Sequence, residues 1–189
     1  MDSPVAYTNR KGTQYFLHCK LTKNGKPRYV FARKVGEGPL NQIPEGFEIS
    51  ESVNGTVSLR RCKPKQITDL EMEQIERVLR NHLHLQGCIY EVKDRTVVIY
   101  QSSGPVPITP ALEGFLGAEI FNVLQRHKRF EPVMRFVLVD EEKRLFTVDR
   151  MCYRSSIDGW LSLHRNDKLA KLAHEYLPHV GRETFYEMI

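Results

Sequence analysis

The sequence has no apolar run long enough to cross a bilayer. Its longest apolar runs, such as residues 97–100, contain four residues, whereas a membrane-spanning helix needs about 20. The opening residues 1–4 lack the basic region and apolar stretch of a secretory signal. These absences predict a soluble, cytoplasmic protein without a membrane partner.

Cysteines are few and never closely paired. The four cysteines are Cys19, Cys62, Cys88 and Cys152, and no C-x-x-C motif occurs. Each falls inside or beside a predicted strand, and nothing else in the chain indicates secretion. We therefore interpret them as buried free thiols, which pack like small apolar residues, and not as disulfides.

Catalytic motifs are also absent. The sequence contains no G-x-S-x-G, no P-loop, no H-E-x-x-H and no G-x-G-x-x-G after a strand. His82, His84 and Cys88 are close together, but a fourth zinc ligand is missing, so the histidines are interpreted as core and cap residues. The sequence favours a non-enzymatic protein, for which we expect no cofactor and no metal.

One pair of residues leaves an enzymatic alternative open. Glu91 and Lys93 lie on one side of a predicted strand, after a helix that carries several carboxylates. In a metal-dependent phosphodiesterase, such a carboxylate holds the metal and such a lysine stabilises the attacked phosphate. Because the same spacing recurs by chance at Glu141 and Lys143, this function is only a second alternative.

Acidic residues are scarce in the first third of the chain. Residues 1–65 contain twelve lysines and arginines against five aspartates and glutamates, a formal charge of +7, whereas residues 66–189 contain 16 against 18, or −2. This excess of positive charge indicates an acidic partner, either nucleic acid or an acidic protein. The alternative is a set of lysines that keep strand edges from pairing.

Turn and cap signals predict hairpins and helices. Asn24-Gly25, Asn54-Gly55 and Asp94-Arg95 each predict a hairpin, and Thr68 with Glu71 forms a capping box that begins a helix. A second helix is predicted from Thr109 to His127. Its predicted buried side chains are Leu112, Leu116, Ile120 and Leu124.

The last third predicts two more hairpins and a helix. Residues 133–139 are expected to pair with 144–151, and residues 152–157 with 160–163 around Asp158-Gly159. Residues 167–176 are expected to form the final helix. The sequence thus predicts an α+β fold, with antiparallel hairpins in one or two sheets packed with about three helices.

The predicted elements group into two parts, residues 1–87 and residues 88–189, which could also form a single compact domain. Residues 12–85 are predicted to form two hairpins followed by a helix, and residues 131–177 are predicted to form the same elements in the same order. This repetition allows a diverged internal duplication.

The first hairpin, YFLHCKLTKNGKPRYVFARK, interleaves aromatic and basic residues. A two-residue turn at Asn24-Gly25 would fix its register. The predicted facing pairs are Lys20 with Tyr29, His18 with Phe31 and Phe16 with Arg33. These six share one side, where rings could stack on bases and cations could pair with phosphates. A covering helix that buries the rings is the alternative, and the other side, with Leu17 and Leu21, is expected to be core.

The second hairpin ends in a basic tail, residues 60–65, and Glu48 on the facing strand is expected to oppose and partly neutralise Arg61. The leading hypothesis is a binding module whose basic β-surface takes nucleic acid or another acidic partner. The candidate residues are Phe16, His18, Lys20, Arg28, Tyr29, Phe31, Arg33, Arg60, Arg61, Lys63 and Lys65. The alternative is a protein-protein adaptor or homo-oligomer, with an interface on the first hairpin and the final helix.

Two segments carry a resemblance, the first of them in two stretches. YFLHCKLTKNGKPRYVFARK, IPEGFEISESVNGTVSLRR and YLPHVGRETFYEMI, roughly a third of the chain, resemble a family of bacterial proteins that has no assigned activity. The resemblance implies a bacterial origin and an intracellular setting. It implies no cofactor and no catalytic residue.

Overall fold

The structure, a computed structural model, describes residues 3–103, 114–115, 117–154 and 157–188. The fold is α+β with antiparallel sheets, as the sequence predicted. None of the helices within these ranges has the length and apolarity needed to cross a bilayer.

The described part of the chain contains ten strands, four α-helices and two short 3₁₀-helices, Leu83–Leu85 and Leu177–His179. The strands are β1 (Ala6–Thr8), β2 (Gln14–Leu21), β3 (Pro27–Ala32), β4 (Phe47–Glu51), β5 (Val57–Arg61), β6 (Cys88–Lys93), β7 (Thr96–Ser103), β8 (Arg129–Asp140), β9 (Leu145–Arg154) and β10 (Ile157–Asp167). The helices are α1 (Asp69–Asn81), α2 (Ala118–His127), α3 (Leu169–Tyr176) and α4 (Thr184–Glu187).

The chain folds into two compact units. The first unit comprises residues 1–63 and 104–129, and the second comprises residues 64–103 and 130–189. This division differs from the predicted parts 1–87 and 88–189. The reason is that α1 places Ile75 and Val78 in the apolar core of the second unit and packs against α3.

The first hairpin has a loop one residue longer than the sequence predicted. The Thr22 N–H donates to the Lys26 carbonyl, the Gly25 N–H donates to the Thr22 carbonyl, and Gly25 has a φ of 72°. These bonds define a three-residue loop whose last position needs left-handed backbone, which glycine adopts without strain. The observed partners are Lys20 with Arg28, His18 with Val30 and Phe16 with Ala32.

This shift moves residues to the opposite side of the sheet. Directly opposed residues share a side, so Tyr29 and Phe31 lie with Cys19 and Leu17 and not with His18. The predicted side of six residues is therefore wrong. The second hairpin has the same error, because its Gly55 has a φ of 80° and Glu48 faces Arg60 instead of Arg61.

The first unit has a small apolar core. Its strands form a three-stranded sheet, β1-β2-β3, and the β4-β5 hairpin. Helix α2 contains no buried residue; Ile120 and Leu124, which were predicted to be buried, are 55% and 37% exposed. The predicted start of this helix, with Leu112 and Leu116, lies outside the described residues. An amphipathic pattern identifies the side of a helix that could pack, but not whether a packing partner exists.

The second unit has a large core beneath a five-stranded sheet of order β10-β9-β8-β7-β6. Helices α1 and α3 supply apolar side chains to this core. Its fully buried side chains include Phe136, Phe146, Ile99, Leu172 and Leu177. The apolar side of α3, with Leu169, Leu172 and Ala173, therefore packs into the core of its own unit.

The predicted hairpin around Asp158-Gly159 is wrong. Gly159 faces Cys152 and Trp160 faces Met151, so Asp158 and Gly159 lie within β10. Strand β9 is one continuous strand that pairs with both β8 and β10. The β2-β3 and β4-β5 hairpins lie in separate sheets, so the topology gives no support to an internal duplication.

Candidate nucleic-acid interface

His18, one of the predicted binding residues, is part of the interior of the first unit. Its side chain is only 3% exposed. The Nδ1 atom lies 3.3 Å from the Glu37 carbonyl oxygen, and the Nε2 atom lies 3.2 Å from that of Lys34. Both ring nitrogens thus face backbone carbonyls within the fold, and the imidazole does not face a ligand.

The predicted aromatic platform is not an open surface. Phe16, Tyr29 and Phe31 are all half-buried. The Tyr29 ring meets the Phe47 ring edge-on, with 5.2 Å between their centroids, and the Arg61 guanidinium carbon lies 5.8 Å from the centroid of Phe47. These contacts join β3 to the β4-β5 hairpin, so the rings stabilise the unit and are poorly placed to stack on bases.

The predicted basic β-surface is also divided. Arg60 Nε lies 2.8 Å from Glu48 Oε1, so this cation is paired. Lys65 belongs to the second unit, where its Nζ lies 3.4 Å from Asp69 Oδ1. Arg61 and Lys63 are exposed. Arg33 is exposed as well, but it follows Arg28 by five residues, which corresponds to about 17 Å along an extended strand.

The structure instead brings four cations together at the end of the first hairpin. We call Lys20, Lys23, Lys26 and Arg28 the basic tip. All nine residues from position 20 to 28 are exposed. The Thr22 hydroxyl donates to the Lys26 carbonyl (3.0 Å) and accepts from the Lys26 N–H (3.1 Å), so the loop between the strands is ordered by its own bonds.

The electrostatics of the basic tip are unfavourable in isolation. Lys20 and Arg28 are directly opposed on one side of the sheet, and like charges in that position destabilise a strand pair. No carboxylate occurs between residues 3 and 36, where eight lysines and arginines lie. Within the described ranges, none of the four side chains forms an ion pair. The tip is therefore a concentrated, uncompensated positive charge.

Two members of the basic tip, Lys23 and Lys26, were not among the predicted binding residues. They flank Asn24-Gly25, the residues that predict the turn. The signal that could have identified them is the absence of acidic residues around them.

The pair considered for phosphodiesterase chemistry is already neutralised. Lys93 Nζ lies 2.9 Å from Glu91 Oε2, and the Tyr100 hydroxyl bonds to the same carboxylate at 3.1 Å. Burial lowers the pKa of Lys93, but its bonds to Glu91 and Tyr100 outweigh burial and raise that pKa overall. Burial raises the pKa of Tyr100. Lys93 and Tyr100 therefore keep their protons at neutral pH. The bonds among Glu91, Lys93 and Tyr100 hold strands β6 and β7 together.

No metal site forms among the described residues, where no three His, Cys, Asp or Glu side chains meet. Burial raises the pKa of the Cys88 thiol to about 11, and His84 Nε2 donates to the Pro178 carbonyl at 3.0 Å. Cys62 is exposed, which corrects the prediction that all four cysteines are buried.

Comparison with known proteins adds no relative. No protein-family model matches the chain, no curated protein matches it, and no solved structure matches it. The bacterial resemblance stays a prediction, and only the geometry of the chain itself supports an inference about its function.

Proposed function

We propose that the first unit binds nucleic acid through the basic tip. The observation that carries the proposal is the directly opposed pair Lys20 and Arg28. Such a pair costs stability in the free protein, and a bound phosphate between the two cations would relieve that cost. The ordered loop adds Lys23 and Lys26 on the same hairpin end, so little backbone order remains to be gained on binding.

The distribution of charge supports a polyanion as the ligand. The first unit contains 14 lysines and arginines against 7 aspartates and glutamates, a formal charge of +7, while the second unit contains 14 against 16, or −2. Nucleic acid presents phosphates at regular short intervals, and a two-stranded ribbon fits the major groove of B-form DNA. An acidic protein is the competing partner, and the test below separates the two.

Reversing the charges of the basic tip is expected to remove binding. The double variant Lys20→Glu with Arg28→Glu replaces two attractive contacts with two repulsive ones. We expect its affinity for a mixed-sequence duplex or single strand at low salt to fall about 100-fold. Fluorescence anisotropy with labelled DNA and RNA measures this change.

A matched control makes the same change of net charge elsewhere. Arg77→Glu with Lys143→Glu alters two exposed cations of the second unit that lie in α1 and in the β8-β9 turn. We expect this variant to keep its affinity within about threefold, since exposed charges outside the interface act only through the screened long-range field. Equal losses in both variants, or no binding by the wild-type protein at low salt, would overturn the proposal. Binding to acidic proteins alone would also overturn it.

Salt is expected to weaken binding. The slope of the logarithm of the association constant against the logarithm of salt concentration reports the number of phosphate contacts. If all four cations of the basic tip neutralise phosphates, the logarithm of the association constant should fall with the logarithm of salt concentration. The slope is expected to be about −3.6 for a duplex and about −2.8 for a single strand. A titration between about 50 and 200 mM salt measures it. A slope near zero would contradict phosphate contact.

A further inference from the structure

The five-stranded sheet has two open edges that differ in character. At one edge, β10 has an irregular register between Ser162 and Asn166, and His164 has a φ of 49°. Bulges and charged residues of this kind are devices that prevent a sheet from pairing with another chain. At the other edge, β6 pairs residue for residue with β7 and contains neither a bulge nor a proline. β6 does carry two charged residues, Glu91 and Lys93, but they pair with each other at 2.9 Å, so its edge is the more regular of the two.

The backbone of β6 has a defined set of free groups. Lys93 faces Thr96 across the two-residue turn, and in such a turn the closing pair is hydrogen-bonded. Since bonded and non-bonded pairs alternate, Cys88, Tyr90 and Val92 point their N–H and C=O groups away from β7. Within the described part of the chain, no backbone group outside the sheet bonds to these six groups.

A groove runs beside this edge and keeps it open. Its volume is about 380 Å³. The α1 side chains Glu76, Leu79 and Arg80 form one wall, and Cys88, Ile89 and Tyr90 of β6 form the other. The Tyr90 hydroxyl donates to Glu76 Oε1 at 2.6 Å, which fixes the ring beside the strand edge. A groove between a helix and an edge strand is the arrangement that accepts an added strand.

We propose that β6 pairs antiparallel with β6 of a second copy of this chain, forming one ten-stranded sheet across a two-fold axis. Residues that share a side must oppose each other across such an interface. Tyr90 then faces Tyr90 of the partner subunit, Cys88 faces Val92 of the partner subunit, and Ile89 faces Glu91 of the partner subunit. All six free backbone groups of each copy are paired, and no like charges oppose.

Charge selects this register over its neighbours. A slip of two residues in one direction places Glu91 against Glu91 of the partner subunit, which is repulsive. A slip in the other direction moves Val92 beyond the end of the facing strand and leaves its backbone groups unpaired.

The first test is the oligomeric state of the full chain, without nucleic acid, by sedimentation across a concentration series. We expect wild-type dimers that dissociate on dilution. Val92→Pro removes an N–H that makes no bond within its own chain, because proline is tolerated where an edge strand faces outwards. It should raise the dissociation constant at least about tenfold, since two hydrogen bonds per dimer are lost, with an unchanged circular dichroism spectrum. A monomer at all concentrations, or a dimer unaffected by this change, would overturn the proposal.

A cross-link tests the register independently. In the proposed pairing, the Cα atoms of the two Tyr90 residues are about 5.5 Å apart, a separation that a disulfide spans. With the exposed native thiol removed by Cys62→Ser in both variants, Tyr90→Cys should therefore form a covalent dimer under mild oxidation. Ile89→Cys, the neighbouring position, is the matched control, because its cysteine faces Glu91 of the partner subunit and should not cross-link. Equal cross-linking of both variants, or of neither, would contradict the register.

Discussion

Leu17→Ala is expected to unfold the first unit and to leave the second unit folded. Leu17 is 0% exposed, and it is the only apolar side chain that is buried in the described part of the first unit. Replacing a buried leucine with alanine costs about 2–5 kcal/mol. A unit with so little core has a stability of only a few kcal/mol, so the loss is comparable with its whole stability.

Hydrogen exchange followed by mass spectrometry separates the two units. In the variant, the amides of β2 and β3 should exchange rapidly, and those of β8 and β9 should keep their protection. Binding through the basic tip should disappear at the same time. Leu172→Ala is the matched control, because Leu172 is equally buried in the second unit and should reduce protection there. Retained protection of β2 and β3 in the Leu17 variant would show that other contacts hold the first unit together.

The small core of the first unit explains where the prediction from the sequence was wrong. Alternation along the first hairpin predicted a core side that contains Leu17 and Leu21, yet Leu21 is 75% exposed. Alternation gives the side on which a residue lies, but it does not show how far along the strand other elements cover that side. Here the cover ends before position 20, so the last part of the hairpin extends into solvent and carries the basic tip.

Features that depend on a few neighbouring residues were predicted well. The capping box is present in full: the Thr68 hydroxyl accepts from the Glu71 N–H, and Glu71 accepts from the Thr68 N–H. The two-residue turn at Asp94-Arg95 has the predicted register. Both are determined within about four residues, where local hydrogen bonding decides the geometry.

Features that depend on distant partners were not predictable from the same signals. Asn24-Gly25 located the turn correctly, but a left-handed glycine fits either a two-residue or a three-residue loop. Asp158-Gly159 resembled a turn, yet pairing with β9 made it part of a strand. A one-residue error in register moves every side chain to the other side of a sheet. For this reason the predicted binding side failed although the strands were in the right place.

Arg144→Ala is expected to destabilise the second unit by about 2 kcal/mol near neutral pH, as loss of a partly buried, charge-assisted pair does. The Arg144 guanidinium binds both carboxylate oxygens of Glu71, with Nε 3.0 Å from Oε1, and donates to the Gln66 carbonyl at 2.9 Å. The Glu71 side chain is only 17% exposed, so the variant leaves a desolvated carboxylate without its cation. Urea unfolding measures the change. Arg144→Lys keeps the charge but loses the two-pronged contact, and should recover only part of the stability.

The pH dependence of this loss identifies its cause. Burial raises the pKa of Glu71, but the hydrogen bonds from Arg144 and Thr68 outweigh burial and hold that pKa below its ordinary value of 4.5. Folding lowers the pKa of this carboxyl group, so its ionised form stabilises the protein at pH values above the pKa of the unfolded state. This stabilisation is lost as the pH falls through the pKa of the folded state. The stability difference between wild type and Arg144→Ala should therefore be largest near about pH 7 and should shrink as the pH falls well below about 4. A difference that stays constant over this range would mean that packing of the arginine, and not its charge on Glu71, holds the β8-β9 turn to α1.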